Sequence, residues 1–85
     1  MQSDTPFRLV IGSLSVWTIY DSPFDYPGRF VVRRWEVSGP DGRAVPDQEC
    51  VLADSLEEAR AAVPPGLRNL GRYPQDDINI AETWL

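Results

Sequence analysis

Carboxylates are the only side chains in this sequence that occur in close pairs suited to acid–base chemistry. The pairs are Asp76-Asp77, Glu57-Glu58 and the Asp21/Asp25 spacing. The chain has no histidine, and all eight of its basic residues are arginine. Imidazole-activated nucleophiles, imidazole metal ligands and lysine Schiff bases are therefore excluded. We expect a protein without enzymatic activity, cofactor or metal.

Two of the carboxylate pairs have a structural interpretation as well as a functional one. Glu57 and Glu58 fall in the first turn of a predicted helix, where negative side chains complement the helix dipole. Asp76-Asp77 precede a predicted strand in a polar loop, where solvation or a turn is the ordinary role. The competing interpretation of Asp76-Asp77, a divalent-metal site, lacks the oxygen-rich spacing of a calcium loop.

The negative charge is concentrated in the C-terminal half. The net charge is −5, with five acids and five arginines in residues 1–43 but eight acids and three arginines in residues 44–85. Such a field repels phosphate backbones and favours basic partners. We therefore expect a protein partner with a basic surface and no direct contact with nucleic acid. The alternative is that the charge serves solubility.

The loop over residues 21–28 is the most suggestive segment for binding. Two prolines stiffen it, and Phe24 and Tyr26 alternate with Asp21 and Asp25, which suits a rigid anchor beside a basic pocket. In the alternative interpretation, one of the aromatic side chains folds back to seal the sheet edge. The predicted partner-binding residues come from this loop and from the two acidic pairs. They are Asp21, Phe24, Asp25, Tyr26, Glu57, Glu58, Asp76 and Asp77.

Arg33-Arg34-Trp35 combines arginine with an aromatic residue, as single-stranded nucleic-acid sites do. Strand alternation, however, places Arg33 and Arg34 on opposite faces, so they do not form one basic patch. We expect Arg34 to form a solvated pair with Glu36 on the outer face.

The strands that position these residues are predicted mainly from the alternation of apolar and polar side chains. Phe7–Ile11 and Leu14–Tyr20 are β-branched and aromatic runs separated by Gly12-Ser13, which predicts a tight hairpin or one long bent strand. Residues 29–37 form the clearest strand, and we expect the side of Val31, Arg33, Trp35 and Val37 to face the core.

The middle of the chain predicts a turn, a strand and a helix in succession. Residues 39–42 (Gly-Pro-Asp-Gly) predict a turn, after which Gln48–Ala53 pairs antiparallel with the preceding strand. Either Asp54 or Ser55 can cap a helix, because a glutamate stands three residues after each and completes a capping box. The helix stripe that should pack on the sheet is Leu56, Ala59 and Val63, and the helix ends before Pro64.

The C-terminal residues predict an irregular connection and a closing strand. Residues 67–77 lack a regular pattern, whereas Ile78–Leu85 alternate and end close to Trp84, which would tie the C-terminus into the core. The whole chain, residues 1–85, is thus predicted to be a single α+β domain. It should consist of an antiparallel sheet of about four to five strands with one short helix on one face.

Composition indicates a small cytoplasmic monomer. Cys50 is the only cysteine, so no intramolecular disulfide can form, and its apolar surroundings favour a buried structural role. The N-terminal residues lack the basic start and apolar run of a signal peptide, and no stretch of the sequence is apolar enough to cross a membrane.

Four segments resemble small uncharacterised proteins of GC-rich proteobacteria and their mobile elements. These segments are Trp17–Asp21, Asp25–Pro27, Phe30–Glu36 and Asp54–Arg60. The resemblance implies a compact intracellular domain.

In size, acidity and lack of catalytic groups, the chain also resembles phage-encoded anti-CRISPR proteins. Those proteins typically occupy the basic nucleic-acid-binding surface of an effector complex. The resemblance implies an inhibitor of a CRISPR effector complex; the alternative is an accessory protein–protein interaction module that uses apolar contacts at a sheet edge.

Overall fold

The computed structural model describes residues 14–85. The predicted strand Phe7–Ile11 and its hairpin lie outside these residues. The elements are β1 (Leu14–Asp21), β2 (Phe30–Ser38), β3 (Arg43–Pro46), β4 (Val51–Ala53), α1 (Leu56–Ala61), β5 (Asn69–Gly71) and β6 (Ile80–Trp84). All strand pairs are antiparallel, in the order β3-β2-β1-β6-β5, and β4 also pairs with β2. The predicted antiparallel sheet with one short helix is confirmed, with six strands rather than four to five.

Strand β2 is paired along both of its edges and contacts three other strands. One edge pairs with β1 along its length, from Leu14↔Val37 to Asp21↔Phe30. The other edge pairs with two short strands in succession, β3 near the end of β2 and β4 near its start. The prediction of one strand over Gln48–Ala53 was therefore only partly right.

Strand β3, which the sequence pattern did not predict, begins directly after the predicted turn over residues 39–42. Gly42 N–H donates to the Gly39 carbonyl at 3.2 Å, and both glycines have positive φ. Positive φ is inexpensive for glycine. The turn places Arg43 directly opposite Ser38, so antiparallel pairing of β3 with β2 begins immediately after the turn. Pro46 ends β3, since proline has no N–H to donate to a ladder.

Helix α1 begins as its capping residues predict. Ser55 is the N-cap, and its Oγ accepts a hydrogen bond from Glu58 N–H at 3.1 Å. Glu58 Oε1 in turn accepts from Asp54 N–H at 3.0 Å, which completes a reciprocal cap. The helix is shorter than predicted, ending at Ala61, but Val63 beyond it remains buried against the sheet.

The core lies on the opposite side of β2 from the side that its sequence predicts. The helix covers the side of Trp17, Ile19, Val32, Ala53 and Trp84, which we call the helix face. Of the side predicted to face the core, Val31, Arg33, Trp35 and Val37, only Val31 is buried, and the core cluster instead includes Val32 on the other side. Ala53 ends β4 on the side of Phe30 and Val32, and α1 follows within three residues, so the short connection determines which side is covered.

The side of Thr18, Tyr20, Val31, Arg33 and Trp35 is called the open face. No helix in residues 14–85 covers it. Thr18 and Val31 are nevertheless buried at its centre.

Both C-terminal strands differ from what the sequence predicts. Strand β5 forms inside the segment expected to be irregular, and β6 begins at Ile80 instead of Ile78. Glu82 pairs with Ile19 but Ile80 pairs with Tyr20, so a bulge at Ala81 changes the alternation. Trp84 lies opposite Trp17 and packs against the core on the helix face. Within residues 14–85, no helix is long and apolar enough to cross a membrane.

Candidate functional site

Most of the acidic side chains meet at one end of the sheet. β1 ends at Asp21, β4 ends at Ala53 and β6 begins at Ile80. Antiparallel pairing brings these three strand ends to the same end of the sheet. We call it the acidic end and define it by residues 21–29, 54–58 and 72–79. It holds two arginines and seven carboxylates: Asp21, Asp25, Asp54, Glu57, Glu58, Asp76 and Asp77. All eight predicted partner-binding residues belong to it.

The loop over residues 21–28 is closed by its own backbone. Ser22 N–H donates to the Arg29 carbonyl at 2.8 Å, and Arg29 N–H donates to the Tyr26 carbonyl at 3.2 Å. Tyr26 N–H donates to the Pro23 carbonyl at 3.0 Å. These hydrogen bonds and the two prolines restrict the backbone of the loop.

The two aromatic residues of this loop divide between the two predicted roles. Phe24 projects into solvent with 95% of its surface exposed. Tyr26 folds back and lines a cavity on the open face with Tyr20 and Val31. Phe24 is therefore exposed, as the anchor interpretation expects, whereas Tyr26 lies against the open face, as the alternative interpretation expects of one aromatic side chain.

Ile78 is a second exposed apolar residue at the acidic end, and the sequence pattern had assigned it to a strand. Its side chain is 82% exposed. A turn holds it there, since Ile80 N–H donates to the Asp77 carbonyl at 2.9 Å and Asp77 Oδ1 accepts from Asn79 N–H at 2.9 Å. Aspartate and asparagine on either side of Ile78 favour such a turn and could have identified it.

Several of the carboxylates have structural roles at their positions. Glu58 caps the helix, and Asp76 Oδ2 accepts from Tyr73 N–H at 2.9 Å. Asp54 lies 2.9 Å from Arg29 Nε, although that N–H does not point closely enough at the carboxylate to form a hydrogen bond. Their charges still contribute to the field of this end, but their substitution would also disturb the fold.

Asp25 and Glu57 differ from these residues. Both are exposed, and neither side chain accepts a hydrogen bond or forms an ion pair within residues 14–85. They are therefore the carboxylates most available to a partner.

Glu82 is not part of the acidic surface, although it belongs to the acidic half of the sequence. Its side chain is buried on the helix face, where Arg60 Nε lies 3.1 Å from both carboxylate oxygens. Trp84 Nε1–H donates to Glu82 Oε1 at 3.0 Å. Hydrogen bonding from Arg60 lowers the pKa of Glu82 below its ordinary value, against the opposing effect of burial.

The two adjacent arginines point to opposite faces, as predicted, but Arg34 does not pair with Glu36. Arg34 Nη1 donates to Asp47 Oδ1 at 3.1 Å and Arg34 Nε to Ser15 Oγ at 3.0 Å. The segment between β3 and β4 brings Asp47 to Arg34, a tertiary contact that no local pattern indicates.

Cys50 is half-buried and lines a cavity of about 200 Å³ that includes Trp17 and Val32. Within the described part of the chain, no three histidine, cysteine, aspartate or glutamate side chains are grouped as metal ligands.

Comparison with known proteins adds no relative to this description. No family model, no curated protein and no solved structure matches the chain. The geometry of the acidic end is therefore the basis on which a function is proposed.

Proposed function

We propose that the protein is a non-enzymatic binding protein that docks its acidic end onto a basic protein surface. The observation that carries the proposal is the meeting of seven carboxylates with the exposed Phe24 and Ile78 at one end of the sheet. Apolar anchors supply most of the binding energy in protein interfaces, and surrounding charges steer the encounter and select the partner.

The breadth of the acidic end suits a groove that otherwise holds a nucleic-acid backbone. Strands β4 and β6 are separated by β2 and β1, which places their ends roughly 14 Å apart at about 4.8 Å per strand. Measured along the axis of a duplex, that distance spans about four phosphates of one strand at ~3.4 Å each. A groove lined with arginine and lysine would meet a comparable density of charge.

The more specific form of the proposal is a cytoplasmic monomer that occludes the nucleic-acid-binding surface of a CRISPR effector complex. Its support is the net charge of −5, the small size and the resemblance of type to anti-CRISPR proteins. It is tested by capture from a lysate of CRISPR-bearing bacteria at low and high salt, with mass spectrometry of the retained proteins. Effector subunits retained at low salt and lost at high salt would support it. Their absence at low salt would reject this partner.

Charge reversal at the two available carboxylates tests docking directly. Asp25→Arg with Glu57→Arg should lower affinity for the captured partner at least about tenfold, because neither residue supports the fold. Glu36→Arg with Asp41→Arg changes the net charge equally at the other end of the sheet and should leave affinity within about twofold. Equal losses from the two pairs would show that only total charge matters and would reject docking through the acidic end.

The open face supports a second candidate, an accessory interaction module that binds through apolar contacts. Leu14, Val16, Trp35 and Val37 lie on this face, and none of the four is fully buried. Binding of this kind would hardly change with salt. Salt-resistant capture that survives the Asp25→Arg, Glu57→Arg pair but fails with Val37→Asp would favour the module.

A further inference from the structure

A small cavity lies where the loop over residues 21–28 folds across the open face. It has a volume of about 130 Å³. Its apolar walls come from Tyr20 and Val31 on the sheet and from Pro23 and Tyr26 in the loop. The charged residues that line it are Asp25 and Arg33.

Arg33 is a cation without a carboxylate partner within residues 14–85. Its only hydrogen bond there joins Nη1 to the Asp47 carbonyl at 2.6 Å, and no carboxylate oxygen of that part of the chain lies within 4.0 Å. Arg29, Arg34 and Arg60 each have an acidic partner. A guanidinium carries several N–H groups in a planar fork that matches a carboxylate, and most of those of Arg33 remain available.

Two further donors lie on the same face, the Tyr20 hydroxyl in the same cavity and the Trp35 indole beside Tyr20. Burial raises the pKa of Tyr20 above its ordinary value, while the neighbouring Trp35 indole and the charge of Arg33 oppose the increase and Asp77 adds to it. The phenol is therefore protonated at neutral pH and able to donate. Trp35 Nε1 is buried and makes no hydrogen bond of good geometry with any described residue, although it lies beside the Tyr20 hydroxyl. A buried N–H without an acceptor is costly, so this corner of the open face has an excess of donors.

We propose that this cavity binds a single carboxylate group carried on a small apolar body. Arg33 and the Tyr20 hydroxyl hold the oxygens, and the Tyr20 oxygen accepts from Trp35 as it donates to the ligand. The volume is well below the roughly 300 Å³ at which pockets begin to hold whole drug-sized molecules, so the site takes a group of a few carbons. Asp25 and the surrounding acidic end repel a dianion such as phosphate more strongly than a singly charged carboxylate.

Titration of the full-length protein with isovalerate, followed by NMR, tests this site. The Trp35 indole N–H and the Arg33 side-chain N–H resonances should shift saturably, with a Kd on the order of 1 mM for so small a ligand. Isovaleramide has the same shape without the charge and should cause no saturable shift. The absence of saturation with isovalerate, or equal shifts with both compounds, would overturn the proposal.

Substitutions locate the effect at the proposed donors. Arg33→Gln should abolish saturable binding, and Tyr20→Phe, which removes only the hydroxyl, should weaken it about tenfold. Arg43→Gln removes an exposed arginine beside the 39–42 turn and should leave affinity unchanged. If Arg33→Gln does not fold, Tyr20→Phe still decides the matter, because a folded Tyr20→Phe protein that binds isovalerate like the wild type would overturn the proposal.

A final comparison identifies the source of the carboxylate. Glutamate blocked at both ends, as N-acetylglutamate α-amide, presents the side-chain carboxylate as a protein would. Tighter binding of this compound than of isovalerate assigns the site to an acidic side chain of a partner. Tighter binding of isovalerate assigns it to a free monocarboxylic acid, and binding of neither overturns the site.

Discussion

The helix face and the open face are two sides of the same strands, yet they are closed in different ways. On the helix face, Ile19 and Val32 are fully buried because a separate element, α1, packs over them. On the open face, burial is confined to the centre, at Thr18 and Val31, and the flank at Leu14 is 50% exposed. We therefore expect substitutions on the helix face to lower stability more than substitutions on the open face.

The arginines on the two faces also differ in whether they have a carboxylate partner. Arg60, reaching from the helix, has the carboxylate of Glu82 as its partner. Arg33 on the open face has only a backbone carbonyl within residues 14–85. A paired charge holds elements together, whereas an unpaired one in a cavity can hold a ligand.

Deletion of residues 82–85 should have the largest effect on this comparison, since it removes most of β6, which lies between β1 and β5. The deletion eliminates Trp84, buried Glu82 and the reciprocal backbone bonds of 2.9 and 3.0 Å between Arg68 and Leu85. We expect the protein to be unfolded at room temperature, as measured by circular dichroism and amide-proton dispersion. Ile78→Ala, at an exposed site, is the control and should fold normally. A folded deletion variant would show that β6 is dispensable.

Matched valine substitutions measure the difference between the faces. Val32→Ala, at 1% exposure on the helix face, should lower the free energy of unfolding by about 2 kcal/mol. Val37→Ala on the half-buried flank of the open face should cost less than about 1 kcal/mol. Urea denaturation of both variants checks the prediction. Equal losses would mean that the open face is as tightly closed as the helix face.

Removal of the helix cap should have a smaller effect. Ser55→Ala deletes the acceptor of the Glu58 N–H bond and should destabilise the protein by about 1 kcal/mol. Chemical denaturation measures the loss, and Ser38→Ala at the end of β2 should change stability much less. No loss in Ser55→Ala would indicate that tertiary packing alone holds the helix in place.

The pH dependence of the Glu82 pair should be the smallest effect. Because the folded-state pKa is lowered, Glu82 contributes stability above its ordinary pKa of 4.5 and loses that contribution as the pH falls towards the lowered value. Wild type should therefore be more stable than Glu82→Gln at about pH 7, with the difference diminishing at about pH 3. A difference that does not change between these two pH values would show that Arg60 does not hold Glu82 in its charged form.

Local features of the fold were predictable from the sequence because neighbouring residues determine them. Ser55 and Glu58 indicate the helix start, and the glycines at 39 and 42 mark the turn. Strands β3 and β5 were missed because runs of three or four residues are too short to show alternation. The core side of β2 was assigned wrongly because both of its faces carry apolar residues, and periodicity does not say which of two such faces a helix will cover.

In the candidate site, too, the sequence indicates the local features but not the contacts between distant segments. The sequence identified the acids and the aromatics of the 21–28 loop, but the excess donors around Arg33 depend on residues from three separate segments, at 20, 33 and 35, and on the position of Asp47. The sequence also does not say that Phe24 is exposed while Tyr26 lines the cavity, because this depends on how the loop lies against the sheet.

By itself, the sequence determined an antiparallel sheet with one capped helix, an acidic C-terminal half and the absence of histidine and lysine chemistry, because each of these follows from composition or from residues close in the chain. Only the tertiary structure decided that seven of the acids lie at one end, that Glu82 pairs with Arg60 instead, and that Arg33 lines a cavity with no carboxylate oxygen of residues 14–85 within 4.0 Å of its guanidinium. Strand order and register bring together residues that are distant in sequence, and the pattern along one strand carries no information about its neighbours.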